Sequence, residues 1–244
     1  MQKIALLLVL FSQGVWAHEI AVIGGHPDRR LDFSQNLVKA KIAYVPENAT
    51  AIDYATQVYS ILARRQVADT VAYRVLGPNA STTQEIAVFA LEDAAKRAKV
   101  VLFTLGPKNL TMCNAMRNQG EALFVVIYEA GAPYSCEADN IVSVAGLNGS
   151  LDGVPGLIHP DHLPDIAAPA TNISVIGAGG RYLRANHSAA AAVFVAAKAA
   201  ALSREFPDLK GRDLADALYD LESTAVPALE GKVQGARRLN DDGK

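Results

Sequence analysis

The chain is predicted to be an α/β domain, a parallel sheet with helices on both faces, and three observations carry that expectation. Short apolar runs at 19–23, 71–76, 100–105, 124–127, 141–145 and 172–176 read as buried strands. Segments with helical spacing lie between several of them, and that alternation is the signature of strand–helix–strand units. No linker, charge run or internal repeat divides the chain, so residues 18–244 are expected to form one domain. A chain of 244 residues, 50% hydrophobic and 20% charged, can bury a sizeable core.

The elements follow in order. Glu19–Ile23 is a strand ending in Gly24-Gly25. Ile52–Arg65 is a helix with Val58, Ile61 and Leu62 on one face, and Val71–Leu76 alternates as a strand. Ser81 or Thr82 caps a helix running to about Lys99, with Gln84 or Glu85 completing a capping box and Ile86, Phe89, Ala90 and Ala94 turned inward. Val100–Leu105 is a buried strand, and a helix from about Leu110 stops at Gly120. Strands 124–127, 141–145 and 172–176 precede the turn Gly177-Ala178-Gly179-Gly180, a long Ala-rich helix from Ser188 to Leu202, and a last helix from Gly211 to Leu221.

The first seventeen residues read differently. Lys3, the apolar run Ile4–Phe11 and the small-residue exit Val15-Trp16-Ala17 have the form of a cleaved secretory signal, too short to span a bilayer. The mature chain is expected to start near His18 and to be exported, to the periplasm or the cell exterior, with no membrane span. A net charge of −2 gives no basic surplus for a nucleic-acid partner. Cys113 and Cys136 can pair in an oxidising compartment or stand as two buried thiols, since spacing fixes no distance.

Several segments, taken together, resemble the subtilisin-like serine peptidase (subtilase) family. Asp165-Ile166-Ala167-Ala168-Pro169 is similar to its D-I-A-A-P-G motif, Asn140–Ala145 to its N-V-I-S-V-A strand, and Phe124–Gly131 to the strand ending in A-G-N. Ser188 opens an Ala-rich helix as that family's nucleophile does, Gly235–Asn240 looks like its closing G-x-G-R-L-N, and His26-Pro27-Asp28 its H-P-D-L. The resemblance implies a three-layer fold and a serine endopeptidase ancestry, and it assigns positions. Serine attack needs a base, a carboxylate to orient it, and a donor for the oxyanion. Gly24 falls at the carboxylate position, Tyr54 at the histidine and Ala132 at the oxyanion asparagine, while Ser188 keeps the nucleophile position.

The resemblance therefore implies an inactive relative serving as a binding or scaffold module, able to hold an extended peptide by strand addition. The alternative is a serine hydrolase with a rebuilt site around Ser188, with His26 or His162 as base. Ser188 can also be read as a helix-start serine that caps its own backbone. No cofactor or metal is expected. The turn 177–180 lacks a third glycine for dinucleotides, and His159-Pro160-Asp161-His162 reads as a polar loop. Asn-x-Ser/Thr sequons such as those at Asn48 and Asn109 bear on function only in a eukaryotic secretory pathway.

Overall fold

The structure, a computed structural model, describes residues 16–77, 81–128, 136–148 and 162–240. Its centre is a nine-stranded sheet. Strands β1 (His18–Gly24), β2 (Val38–Ala43), β3 (Thr70–Arg74), β4 (Ala98–Phe103), β5 (Leu123–Ile127), β6 (Ile141–Leu147) and β7 (Ile166–Pro169) are parallel, in the order β2-β3-β1-β4-β5-β6-β7. The sheet is extended past β7 by β11 (Arg237–Leu239) and β10 (Ser223–Ala225), an antiparallel pair. β8 (Ile173–Ile176) and β9 (Tyr182–Ala185) form a separate hairpin, so the predicted strand at 172–176 lies outside the main sheet.

Helices cover both faces, as the apolar runs require: a strand apolar on both sides must be roofed twice. α1 (Asp32–Leu37), α2 (Ala49–Arg64), α5 (Ser188–Glu205) and α6 (Gly211–Glu222) pack on one face with Ile20, Val22, Leu102, Val125 and Val144. α3 (Gln84–Arg97) and α4 (Leu110–Arg117) pack on the other with Ala21, Ile23, Val101, Phe103 and Phe124. Helix α5 lies against the middle of the sheet, and its alanines let it approach closely: Ala190, Ala191, Ala192, Ala196, Ala199 and Ala200 are fully buried. None of the helices among the described residues is long and apolar enough to cross a membrane.

Local chemistry sets the helix starts. The carbonyl oxygens of the Asn48 and Asn109 side chains accept from the N–H groups of Ala51 and Met112 at 2.8 and 3.0 Å. Both asparagines of the two named sequons are thus helix caps. Thr83, not Ser81 or Thr82, caps α3 by accepting from Ile86 N–H at 3.3 Å. That start turns Ala87, Ala90, Leu91 and Ala94 into the core and leaves Phe89 63% exposed, so the expected apolar face is rotated by one position. α4 ends at Arg117, before Gly120. Asn140 explains the early stop: its buried amide donates to the carbonyls of Met116, Gln119 and Ala122 at 2.9, 3.2 and 3.3 Å, taking over acceptors at the helix end. Cys113 on α4 is joined to Cys136, with 5.1 Å between their Cα atoms.

Candidate functional site

Because the main strands are parallel, their carboxyl ends share one edge of the sheet. The strand order reverses direction at β1, which has β3 on one side and β4 on the other. In open α/β sheets, the crevice at such a reversal is where ligands bind. Gly24 lies at the end of β1 and Thr104 follows β4. Thr104 leans across the crevice, with its N–H and its hydroxyl both donating to the Ile23 carbonyl, at 3.1 and 3.0 Å. A Cβ at Gly24 would overlap the Thr104 hydroxyl oxygen. Tyr54, one turn into α2, closes the crevice from above by donating its hydroxyl to the Thr104 carbonyl at 3.0 Å. Burial pushes the Tyr54 phenol up to about 12, against the opposing pull of that hydrogen bond.

Ser188 is the first residue of α5. A Cβ at Gly146 on β6 would stand 3.4 Å from the Ser188 Cα and 2.5 Å from the Ala170 Cβ, so the bare glycine lets the helix start sit down on the sheet. The cap of α5 is His187, whose Nδ1 accepts from Ala190 N–H at 3.2 Å, and not Ser188 itself. That bond places the ring proton on Nε2, which is buried without a partner, and burial lowers the pKa of His187. The His187 and Tyr54 rings lie side by side with centroids 5.7 Å apart and planes at 46°. Thus Gly24, Thr104, Tyr54, His187 and Ser188 occupy one neighbourhood. Thr104 was not singled out from the sequence, because its role depends on approaches between segments far apart in the chain.

What can this arrangement do? A serine nucleophile needs an acceptor within about 2.6–3.2 Å of its hydroxyl. Among the described residues, no side chain is hydrogen-bonded to the Ser188 hydroxyl. His187 spends its only basic nitrogen on the helix end. Tyr54, with a pKa near 12, holds its proton at neutral pH. His26 is committed elsewhere: its Nε2 donates to the carbonyls of Ile42 and Ala72, both at 3.1 Å, near the β2 edge of the sheet. His162 lies beside Glu137, with Nδ1 3.6 Å from the carboxylate, and its carbonyl accepts from Tyr128 at 2.9 Å. Ala132, His159 and Asp161 lie outside the described residues. Among the described residues, no group of three or more His, Cys, Asp or Glu could hold a metal ion.

The turn 177–180 joins β8 to β9, and its amides are already taken. Asp53 accepts from Ala178 N–H and Asp28 from Gly179 N–H, each at 2.8 Å. Gly179 and Gly180 have φ of +72° and +79°, which is the conformational reason for two glycines there. A phosphate would meet two carboxylates at this turn.

The fold and this edge define a class: a parallel α/β domain with Thr104, Tyr54, His187 and Ser188 gathered at its strand ends. No protein-family model matches the chain, and no curated protein does. Solved structures do. The chain superposes on the A subunit of an AB5 toxin from E. coli with a TM-score of 0.70 at 15% identity, covering 93% of this chain and 92% of that one. It superposes on a structure solved for the assembly of the subtilase cytotoxin SubAB with a TM-score of 0.68 at 15% identity, covering 93% and 89%. These likenesses establish the fold alone. They also correct the family expectation: with no matching family model, and with toxin A subunits among the structural neighbours, the motif resemblance does not place this chain among the subtilisin-like peptidases. Motifs such as Asp165–Pro169 have a sufficient local explanation, since residues 166–169 are β7 and Asp165 accepts from the N–H and hydroxyl of Ser143 at 2.7 Å.

Proposed function

We propose that this chain is an exported protein that works by holding a protein partner on a scaffold shared with toxin A subunits, and that Ser188 carries out no acyl transfer. The observation that carries this reading is the filled crevice. Where an enzyme of this topology would receive its substrate, Tyr54 donates to the Thr104 carbonyl and the Thr104 hydroxyl donates to the Ile23 carbonyl of β1. The Ser188 hydroxyl beside them has no base among the described residues. An unassisted serine hydroxyl is a weak nucleophile at neutral pH. Export, to the periplasm or beyond the cell, is supported by the signal-like segment of residues 1–17. A protein partner is suggested by the neighbour whose structure was solved for its assembly.

The test is labelling with a fluorophosphonate probe. The purified chain, shown to be folded by a cooperative melt, is expected to stay unlabelled, as is Ser188→Ala. Labelling that disappears in Ser188→Ala would mean an activated nucleophile, and the binding-module reading would fall.

A further inference from the structure

The edge opposite the crevice holds a second built feature. Trp16, the only tryptophan in the chain, precedes β1 and is half-buried there. Its indole N–H donates to the Ala95 carbonyl at 3.1 Å. Two ammonium groups lie over its ring, Lys99 at 5.4 Å and Lys210 at 5.1 Å from the centroid. Beside the ring is a cavity of about 340 Å³ lined by Ala95, Lys96 and residues 118–122. The walls are fixed independently of Trp16. Asn140 holds the carbonyls of Gln119 and Ala122, Gly211 N–H donates to the Glu121 carbonyl at 3.0 Å, and Lys99 bonds the Pro207 carbonyl.

This chemistry selects an indole. Lys99 and Lys210 both face the ring; Lys210 also pairs with the Glu121 carboxylate at 3.5 Å, and burial, then the Lys210 charge against the opposing pull of Asp208, holds Lys99 below the ordinary lysine range. An electron-rich π face within reach of both ammonium groups attracts each, and indole is the best such face among side chains. The Ala95 carbonyl adds a requirement for a ring N–H, which phenylalanine lacks. Yet the signal-like segment ends at Ala17, one residue after Trp16.

We propose that cleavage before His18 vacates this slot, and that in the exported chain it takes the indole of a tryptophan presented by a protein partner. The proposal rests on the export reading above and names what the partner must carry. Trp16 then acts as an internal plug, present while the leader is attached and lost with it.

Because the cleaved chain contains no tryptophan, the indole fluorescence of an added ligand reports binding directly. Residues 18–244 are titrated with N-acetyltryptophanamide and anisotropy is followed. A dissociation constant of about 0.1–1 mM is expected for so small a ligand. Lys99→Met and Lys210→Met should each weaken it roughly three- to tenfold. N-acetylphenylalaninamide should fail to compete, and a chain retaining Trp16 should not bind. Trp16→Ala in the longer chain opens the same slot without shortening the terminus, and is expected to bind like residues 18–244. Absence of binding by both, in samples with cooperative melts, overturns the slot while leaving the fluorophosphonate result untouched. N-terminal sequencing that finds Trp16 still attached to the exported chain overturns it as well.

Discussion

Substitution of Gly24 by alanine tests directly whether the crevice is filled as described. The new Cβ would overlap the Thr104 hydroxyl oxygen, while the Thr104 Cβ and Cγ2 would stand at ordinary contact distances of 3.7 and 3.9 Å. Only the hydroxyl has to move. Turning it away breaks its bond to the Ile23 carbonyl, worth about 1 kcal/mol, and forces a β-branched side chain in a packed site, worth about 1–3 kcal/mol. Against this, alanine restricts the unfolded chain and returns about 0.4–1 kcal/mol, since Gly24 is not in the left-handed region. Gly24→Ala is therefore expected to cost about 1–3 kcal/mol.

Thr104→Ala removes the obstacle. The double variant Gly24→Ala/Thr104→Ala should then be more stable than Gly24→Ala alone, a coupling of about 1 kcal/mol or more. Thr104→Val, which keeps the shape of the hydroxyl, should bring no relief. Urea unfolding of the parent, the two single alanine variants, their double variant and Gly24→Ala/Thr104→Val measures this. Additive effects within about 0.3 kcal/mol, or rescue by valine as good as by alanine, would refute the account of how the crevice is closed.

Two further outcomes are expected. Replacing both Cys113 and Cys136 by serine opens a loop with a sequence separation of 23 and should cost about 3 kcal/mol, read as a lower urea midpoint that dithiothreitol reproduces in the parent protein. His26 is buried, and burial lowers its pKa, so the folded state takes up its proton less readily than the unfolded state. Above the unfolded value near 6.5 the two states bind alike. As pH falls below it, the unfolded chain gains a proton that the folded chain refuses, so stability drops. Urea midpoints should therefore fall between pH 7.5 and 5.5, with a shallower slope in His26→Gln.

How much of this was legible beforehand follows from the range of each interaction. The central strands and the five longer helices were legible, unlike the short α1, because burial on both faces imposes apolar runs that no surface segment needs, as in Val100–Phe103 and Phe124–Ile127. Edge strand β2 was not: its burial alternates, and its lysines at 39 and 41 look like loop residues. Phe89 was misplaced because shifting the cap by a residue or two turns the helix by about 100° per residue. The motif resemblance pointed to the right fold class and to a family that the comparisons do not support, since short motifs carry strand and turn chemistry as readily as ancestry.

Sequence by itself determined what depends on neighbours along the chain: the apolar strands and the glycines of the turn at 177–180. Only the tertiary structure decided what depends on distant segments meeting. Gly24, Tyr54, Thr104 and Ser188 approach one another because a parallel sheet gathers its strand ends along one edge. There the Thr104 hydroxyl ties the ends of β4 and β1 together, and its carbonyl receives Tyr54. At the opposite edge, Trp16 reads as the tail of a leader until Ala95, Lys99 and Lys210 converge on it. Local patterning fixes the elements because backbone hydrogen bonds and side-chain periodicity act over a few residues. Chemistry at a site needs atoms within about 3 Å, and only the packed fold sets that distance.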